Sequence, residues 1–152
     1  MSNYYGKGRS NYIRVIDKEK AKLFARIYGV AIVEKENYVC FLANGEDGDV
    51  NSVFTPETEE EVAILEIIMR EEGTAPVIMD EEQELPGFPE TIASILQPGQ
   101  VFIWIHVGNE KSRYINGYSL AINSKFEKVS ISLDSIYKQA EHLGSEITEA
   151  QY

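Results

Sequence analysis

Apolar and polar positions alternate along this chain in two periods, and each period marks an element. Asn11–Ile16 (NYIRVI) alternates with period two and is rich in β-branched residues, which predicts a strand with Ile13 and Val15 on one face. The period then changes. In KEKAKLFARIY (18–28), Ala21, Phe24, Ala25 and Tyr28 follow the i, i+3, i+4, i+7 rule, and Leu23 and Ile27 widen the stripe. Asp17 stands where a helix N-cap belongs, and Gly29 where the chain leaves the helix. Val30–Val33 and Tyr38–Ala43, joined by Glu34–Asn37, read as a β-hairpin. Asn44–Asp49 (NGEDGD) is a turn, and Val50–Phe54 a short third strand. A second helix follows, opened by Thr55 with Pro56 in its first turn, or by Thr58 with Glu61 completing a capping box. Val62, Leu65, Ile68 and Met69 form its apolar stripe.

Gly73–Gly87 carries two prolines and a run of acids and reads as a linker or long loop. Pro89 starts a short helix with Ile92, Ile95 and Leu96 inward, ended by Pro98-Gly99. Val101–Val107 (VFIWIHV) is apolar on both faces, which predicts a central strand. Arg113–Asn123, with Gly117 as a candidate bulge, and Phe126–Leu133 complete a meander. Asp134 caps a last helix with Ile136, Ala140 and Leu143 inward. The order is βαββ(β)α–αβββα. Hairpin-linked strands pair antiparallel, so the expected class is α+β, a mostly antiparallel sheet with helices packed on one face. The expected layout is a flexible arm at 1–10, a single domain over 11–144 divisible into subdomains 11–73 and 88–144, and a frayed tail at 145–152.

Composition narrows the class. Of 152 residues, 43% are hydrophobic and 11% aromatic, too many for a disordered chain and enough for a proper core. One cysteine excludes an internal disulfide. No apolar run approaches the length of a membrane span, and MSNYYGKGRS lacks the apolar centre of a signal peptide, so the expectation is a cytoplasmic protein with no membrane partner.

The net charge of −11 is unevenly placed. Residues 1–28 hold seven basic and two acidic side chains, residues 29–100 two basic and seventeen acidic, and residues 101–152 five basic and six acidic. Two charged constellations suit binding. Lys18, Lys22 and Arg26 stand four apart on the first helix and form one stripe, which Arg14 extends, a small nucleic-acid footprint. Glu57, Glu59, Glu60, Glu61, Asp80, Glu81, Glu82 and Glu84 form an acidic face fit for a basic partner protein. The helix dipole by itself accounts for the acids in a first turn, and a solvated helix face accounts for the lysines. A basic helix meeting the acidic segment of a second copy would make a homodimer.

The inventory for catalysis is thin. His106 shares a strand face with Phe102 and Trp104, and with Tyr114 and Tyr118 it outlines a candidate ligand pocket. No carboxylate near it in sequence orients its ring, which favours a core histidine. His142 reads as a helix-end residue and Cys40 as a buried thiol. Two separated histidines and one cysteine give no zinc spacing, and NGEDGD lacks the ligand spacing of a calcium loop, so no metal and no cofactor is expected.

GRSNYIRVID at 8–17, and at 107–137 the block with Glu-Lys-x-Arg-Tyr, Gly-Tyr-x-x-x-x-Asn and Ser-Leu-Asp-x-Ile-Tyr, resemble a family of small, uncharacterised proteins found on plasmids, phages and integrated elements. The resemblance implies an accessory role on a mobile element and carries no catalytic residue or cofactor. Ile13 stands where that family more usually has an aromatic, and 34–90 matches it poorly. The leading expectation is a non-catalytic binding protein acting by protein–protein contact. A nucleic-acid binder and a small-ligand domain or enzyme are the alternatives.

Overall fold

The computed structural model describes residues 4–70, 76–111 and 114–150. The start of the Gly73–Gly87 loop and the Arg113 end of the expected meander strand lie outside them. The described elements run β1 (Tyr4–Ser10), α1 (Lys18–Tyr28), β2 (Ala31–Lys35), β3 (Tyr38–Ala43), β4 (Val53–Phe54), α2 (Glu59–Met69), β5 (Gln83–Glu84), α3 (Phe88–Ala93), β6 (Val101–Glu110), β7 (Tyr114–Asn123), β8 (Lys128–Ser132) and α4 (Ser135–Gln139), with a 3-10 turn at Ala140–Leu143. One antiparallel sheet of six strands has the order β2-β3-β1-β6-β7-β8, and β4 and β5 form a separate ladder. The fold is α+β.

The first strand corrects the sequence reading. Residues 4–10, expected as part of a flexible arm, form β1 in the middle of the sheet, between β3 and β6. YYGKGRS does alternate, with Gly6, Gly8 and Ser10 buried and Tyr5, Lys7 and Arg9 exposed. Its inward members carry no apolar side chain, so the strand signal is hidden. The loop Asn44–Asp49 explains the small residues. It crosses this face closely enough for Gly6 N–H to donate to the Glu46 carbonyl at 3.0 Å. A Cβ on Gly6 would strike the Asp47 carbonyl, and one on Gly8 would lie 2.7 Å from the Trp104 ring.

Asn11–Ile16, expected as the first strand, makes only isolated bridges, Ile13 to Val39 and Val15 to Leu96. Ile13 and Val15 are nonetheless buried together in the core. Because β1 joins β3 to β6, strands of both halves share one sheet and one core, and 11–73 and 88–144 are not separate subdomains.

The helices α1 to α3 cover one side of the sheet. In α1, the Asp17 carboxylate accepts from the N–H groups of Glu19 and Lys20, and Gly29 closes the helix in the left-handed region. Ala21, Phe24, Ala25, Ile27 and Tyr28 are buried. Thr58, not Thr55, caps α2, and the Glu61 carboxylate turns back to the Glu57 N–H at 2.9 Å. Ile64 joins Leu65, Ile68 and Met69 in the core, and Val62 stays half-buried. Phe88, at the start of α3, is the aromatic hub, with ring centroids of Tyr28, Phe41, Phe102 and Trp104 at 5.0, 5.4, 5.8 and 5.4 Å.

Four smaller expectations change. Val53–Phe54 pairs with β5, within the segment read as a loop, and not with the hairpin. The hairpin turn is Glu36–Asn37, because β2 runs on to Lys35. Gly117 forms no bulge: β6 and β7 pair without interruption from Val101↔Asn123 to Glu110↔Tyr114. Gly117 leaves room for Leu133, which would lie 3.2 Å from a Cβ there. The last helix buries nothing, and Ile136 and Leu143 are exposed. Its apolar period finds no sheet surface to cover. Ser145–Ala150 has no helix or strand and is tied back by Ala150 N–H donating to the Tyr137 hydroxyl at 2.7 Å.

Candidate functional site

The basic stripe is spent on partners within the molecule. Lys22 bridges Glu19 at 3.2 Å and Glu34 at 3.1 Å, and these carboxylates raise its pKa. Lys18 donates to the Glu36 carbonyl at 2.7 Å. Arg26 pairs with Glu60 at 3.3 Å and Glu61 at 3.6 Å, which clamps α1 to α2. Arg14 lies over the Tyr38 ring, 4.7 Å from its centroid. The stripe is therefore no open row of cations for a phosphate backbone.

The acidic residues do come together in part. The β4–β5 ladder, with Asp80 N–H donating to the Pro56 carbonyl at 2.8 Å, lays the Asp80–Glu84 segment beside the start of α2. Glu60 and Glu61 are occupied by Arg26. Glu57, Glu59, Asp80, Glu81, Glu82 and Glu84 have no ion-pair partner among the described residues. They form an exposed negative edge on the helix side of the molecule.

The proposed pocket residues divide. His106 is buried, with the Tyr118 ring stacked on it at 5.2 Å and the Tyr4 ring end-on to it at 6.3 Å. Its Nδ1 stands 3.2 Å from the Gly48 carbonyl, and its Nε2 stands 2.9 Å from the Tyr4 hydroxyl. Both ring nitrogens are thus bonded inside the fold. Asp49, 3.7 Å from Nδ1, is the nearby carboxylate that its own strand does not supply. The imidazole pins the Asn44–Asp49 loop across β1. Trp104 is buried under Phe88. Burial raises the Tyr118 phenol above its ordinary pKa, the Asp49 carboxylate adds to this, and a bond from Trp104 opposes it. Tyr114 lies apart, paired with Glu110 at the far end of β6 and β7. His106 and Tyr118 line one hollow and Tyr114 lines another, so the four are not brought together. Nor does any group of three or more histidine, cysteine or acidic side chains among the described residues suit a metal ion.

What sequence reasoning missed is a surface. The side of the sheet opposite α1–α3 is bare over β6–β8. Register places Val101, Ile103, Ile105 and Val107 of β6 on that side, with Ile115 of β7 and Val129 and Ile131 of β8. Ile105 is 47% exposed, Val107 52%, Ile115 65%, Val129 73% and Ile131 72%. Leu133, just past β8, extends the patch over Gly117. A hollow of about 190 Å³ lies among Ile105, Val107, Ser119, Ile131 and Leu133, and His106 and Tyr118 also line it. Over β6–β8 the outward positions carry no charged side chain, while the neighbouring β1 presents Lys7 and Arg9 outward, opposite Val107 and Ile105. Among the described residues the sheet ends at β8 in an unpaired edge. VFIWIHV contained the signal, since a strand apolar on both faces needs cover on both, and the fold supplies cover on one.

Comparison with protein-family models, with curated proteins and with solved structures gives no match.

Proposed function

We propose that this protein works by docking onto another protein through the bare side of its sheet, and not by catalysis. One observation carries the reading: aliphatic side chains of three adjacent strands stand 47–73% exposed on the face away from the helices. Monomers rarely leave a contiguous apolar surface of this kind in water, and such surfaces mark contact sites. The unpaired edge of β8 adds free backbone donors and acceptors, to which an extended segment of a partner can add as a strand. Lys7 and Arg9 flank the apolar centre, which gives an interface with an uncharged middle and a charged rim, and suits a partner with an apolar patch bordered by acids. The same surface is a poor nucleic-acid site, because it offers few cations and the molecule as a whole is strongly negative. Satisfaction of both His106 nitrogens inside the fold supports a structural role for the residue on which an enzyme reading would rest.

The test is a triple variant, Val107→Thr, Val129→Thr and Ile131→Thr, used as bait beside the wild type in affinity capture from the native host. The expected result is loss of the captured protein with little change in melting temperature. Equal capture by both baits would reject docking through this face.

A further inference from the structure

The far end of the helix-side face holds a second cavity, which meets the proposed docking face only at Ile115. Here the ends of β6 and β7 form one wall, and Asp134, Tyr137 and the segment 149–150 form the other. The cavity measures about 560 Å³ and is lined by Tyr4, Glu110, Tyr114, Asn116, Asp134 and Tyr137, with Glu149 at its rim. Register puts Tyr4, Glu110, Tyr114 and Asn116 on one side of the sheet, since Tyr4 pairs with Glu110, Glu110 with Tyr114, and Gly108 with Asn116. Gly108 is part of the construction. A Cβ there would collide with the Tyr4 hydroxyl, so the glycine is what lets that phenol lie over β6. The hydroxyl is held 2.8 Å from Asn116 Oδ1 and 2.9 Å from His106 Nε2, which fixes the ring at the cavity wall. Tyr137 is held from the other side by Ala150 N–H.

Three tyrosines and three acidic residues thus line one hollow, and of the acids neither Glu110 nor Asp134 has an ion-pair partner among the described residues. The acidic side chains are not grouped as a metal ion requires. We propose that this cavity takes an organic cation, an alkylammonium or a guanidinium, seated against the tyrosine rings and neutralised by Glu110 and Asp134. Ring faces attract a diffuse cation through their quadrupole, and the carboxylates supply charge without displacing its bulk. The cation has two chemical sources, a free polyamine-type molecule or the basic side chain of a docked peptide, and both present the same group.

The experiment is a titration of the whole protein with agmatine, with spermidine and with the peptide amide Gly-Gly-Arg, followed by calorimetry and by NMR shifts of the Tyr4 and His106 signals. Saturable binding of at least one probe is expected. Glu110→Gln with Asp134→Asn should weaken it about tenfold or more, Tyr114→Leu should weaken it severalfold, and Tyr114→Phe, which keeps the ring, should retain it. Circular dichroism melting of each variant separates loss of binding from loss of fold, and Tyr114 and Asp134 are far enough from the core for folded variants. Stronger binding of the free amines than of the peptide assigns a small-molecule site, and the reverse order assigns a side-chain receptor. No saturable binding by any probe at millimolar concentration would overturn the proposal. So would equal binding by the double carboxylate variant, or displacement of the probe by magnesium at low millimolar concentration.

Discussion

The two sides of β6 differ by one residue in register and by everything in environment. Phe102 and Trp104 point beneath the helices and His106 beneath the Asn44–Asp49 loop, all nearly sealed from water, whereas Ile105 and Val107 point the other way and stand about half exposed. Both sets are equally apolar in sequence. Burial is therefore no property of the strand's composition. It follows from what the rest of the chain lays over each face. Three helices cover one side, and the described residues offer no cover for the other over β6–β8. An apolar strand face left open by the described residues is the feature on which the proposed docking rests.

Substitutions sharpen that comparison, beginning with the covered side. Phe88→Ala removes the ring on which Tyr28, Phe41, Phe102 and Trp104 converge, and should cost about 3–5 kcal/mol in urea unfolding. Gly6→Ala comes next. Its methyl group meets the Asp47 carbonyl, so either the Asn44–Asp49 loop or β1 must shift, at about 1–3 kcal/mol. Hydrogen exchange should then show β1 and that loop opening together. On the bare side, Val129→Thr or Ile131→Thr should change stability by no more than about 0.5 kcal/mol, because the side chains are already in water in the isolated protein. Costs near that of Phe88→Ala on this side would show that the face is covered within the chain.

The smallest effect is one of pH. The raised Tyr118 phenol contributes stability that is fully present below its unfolded pKa, about 10, and is lost as pH rises through its higher folded value. Stability should thus fall in alkaline solution, and Tyr118→Phe should flatten the fall. In tyrosinate absorbance the difference between wild type and Tyr118→Phe should titrate above the ordinary phenol range. A difference titrating at or below that range would contradict the partial desolvation of this phenol, whose residue stays 46% exposed.

Much of the fold was legible because its signals are local. Asp17 and Gly29 bound α1 as their chemistry requires, Thr58 with Glu61 starts α2, and the apolar runs Tyr38–Ala43 and VFIWIHV mark two interior strands. What stayed hidden depends on distant chain. β1 reads as an arm because its inward residues are glycine and serine, and their reason is a loop some forty positions later. The last helix has an apolar period but no surface to bury it on. Lys18, Lys22 and Arg26 form a true stripe, yet Glu36, Glu34, Glu60 and Glu61 reach it only after folding. His106 lacked a sequence neighbour to orient it because Tyr4, Gly48 and Asp49 arrive from other elements. The bare face was readable in residue type and unreadable in exposure, since no local pattern says which side the helices take.

The central claim is that protein covers this face in the cell. Ser119 lies at its middle, between Ile105 and Ile131 in register, and Glu66 is exposed on α2. A photo-cross-linking residue placed at each position in turn, and activated in the native host, measures cover directly. The account predicts a discrete protein adduct from position 119 and none from position 66, with the adduct's mass telling a different partner from a second copy. Silence at 119, or the same adducts from both positions, would contradict it.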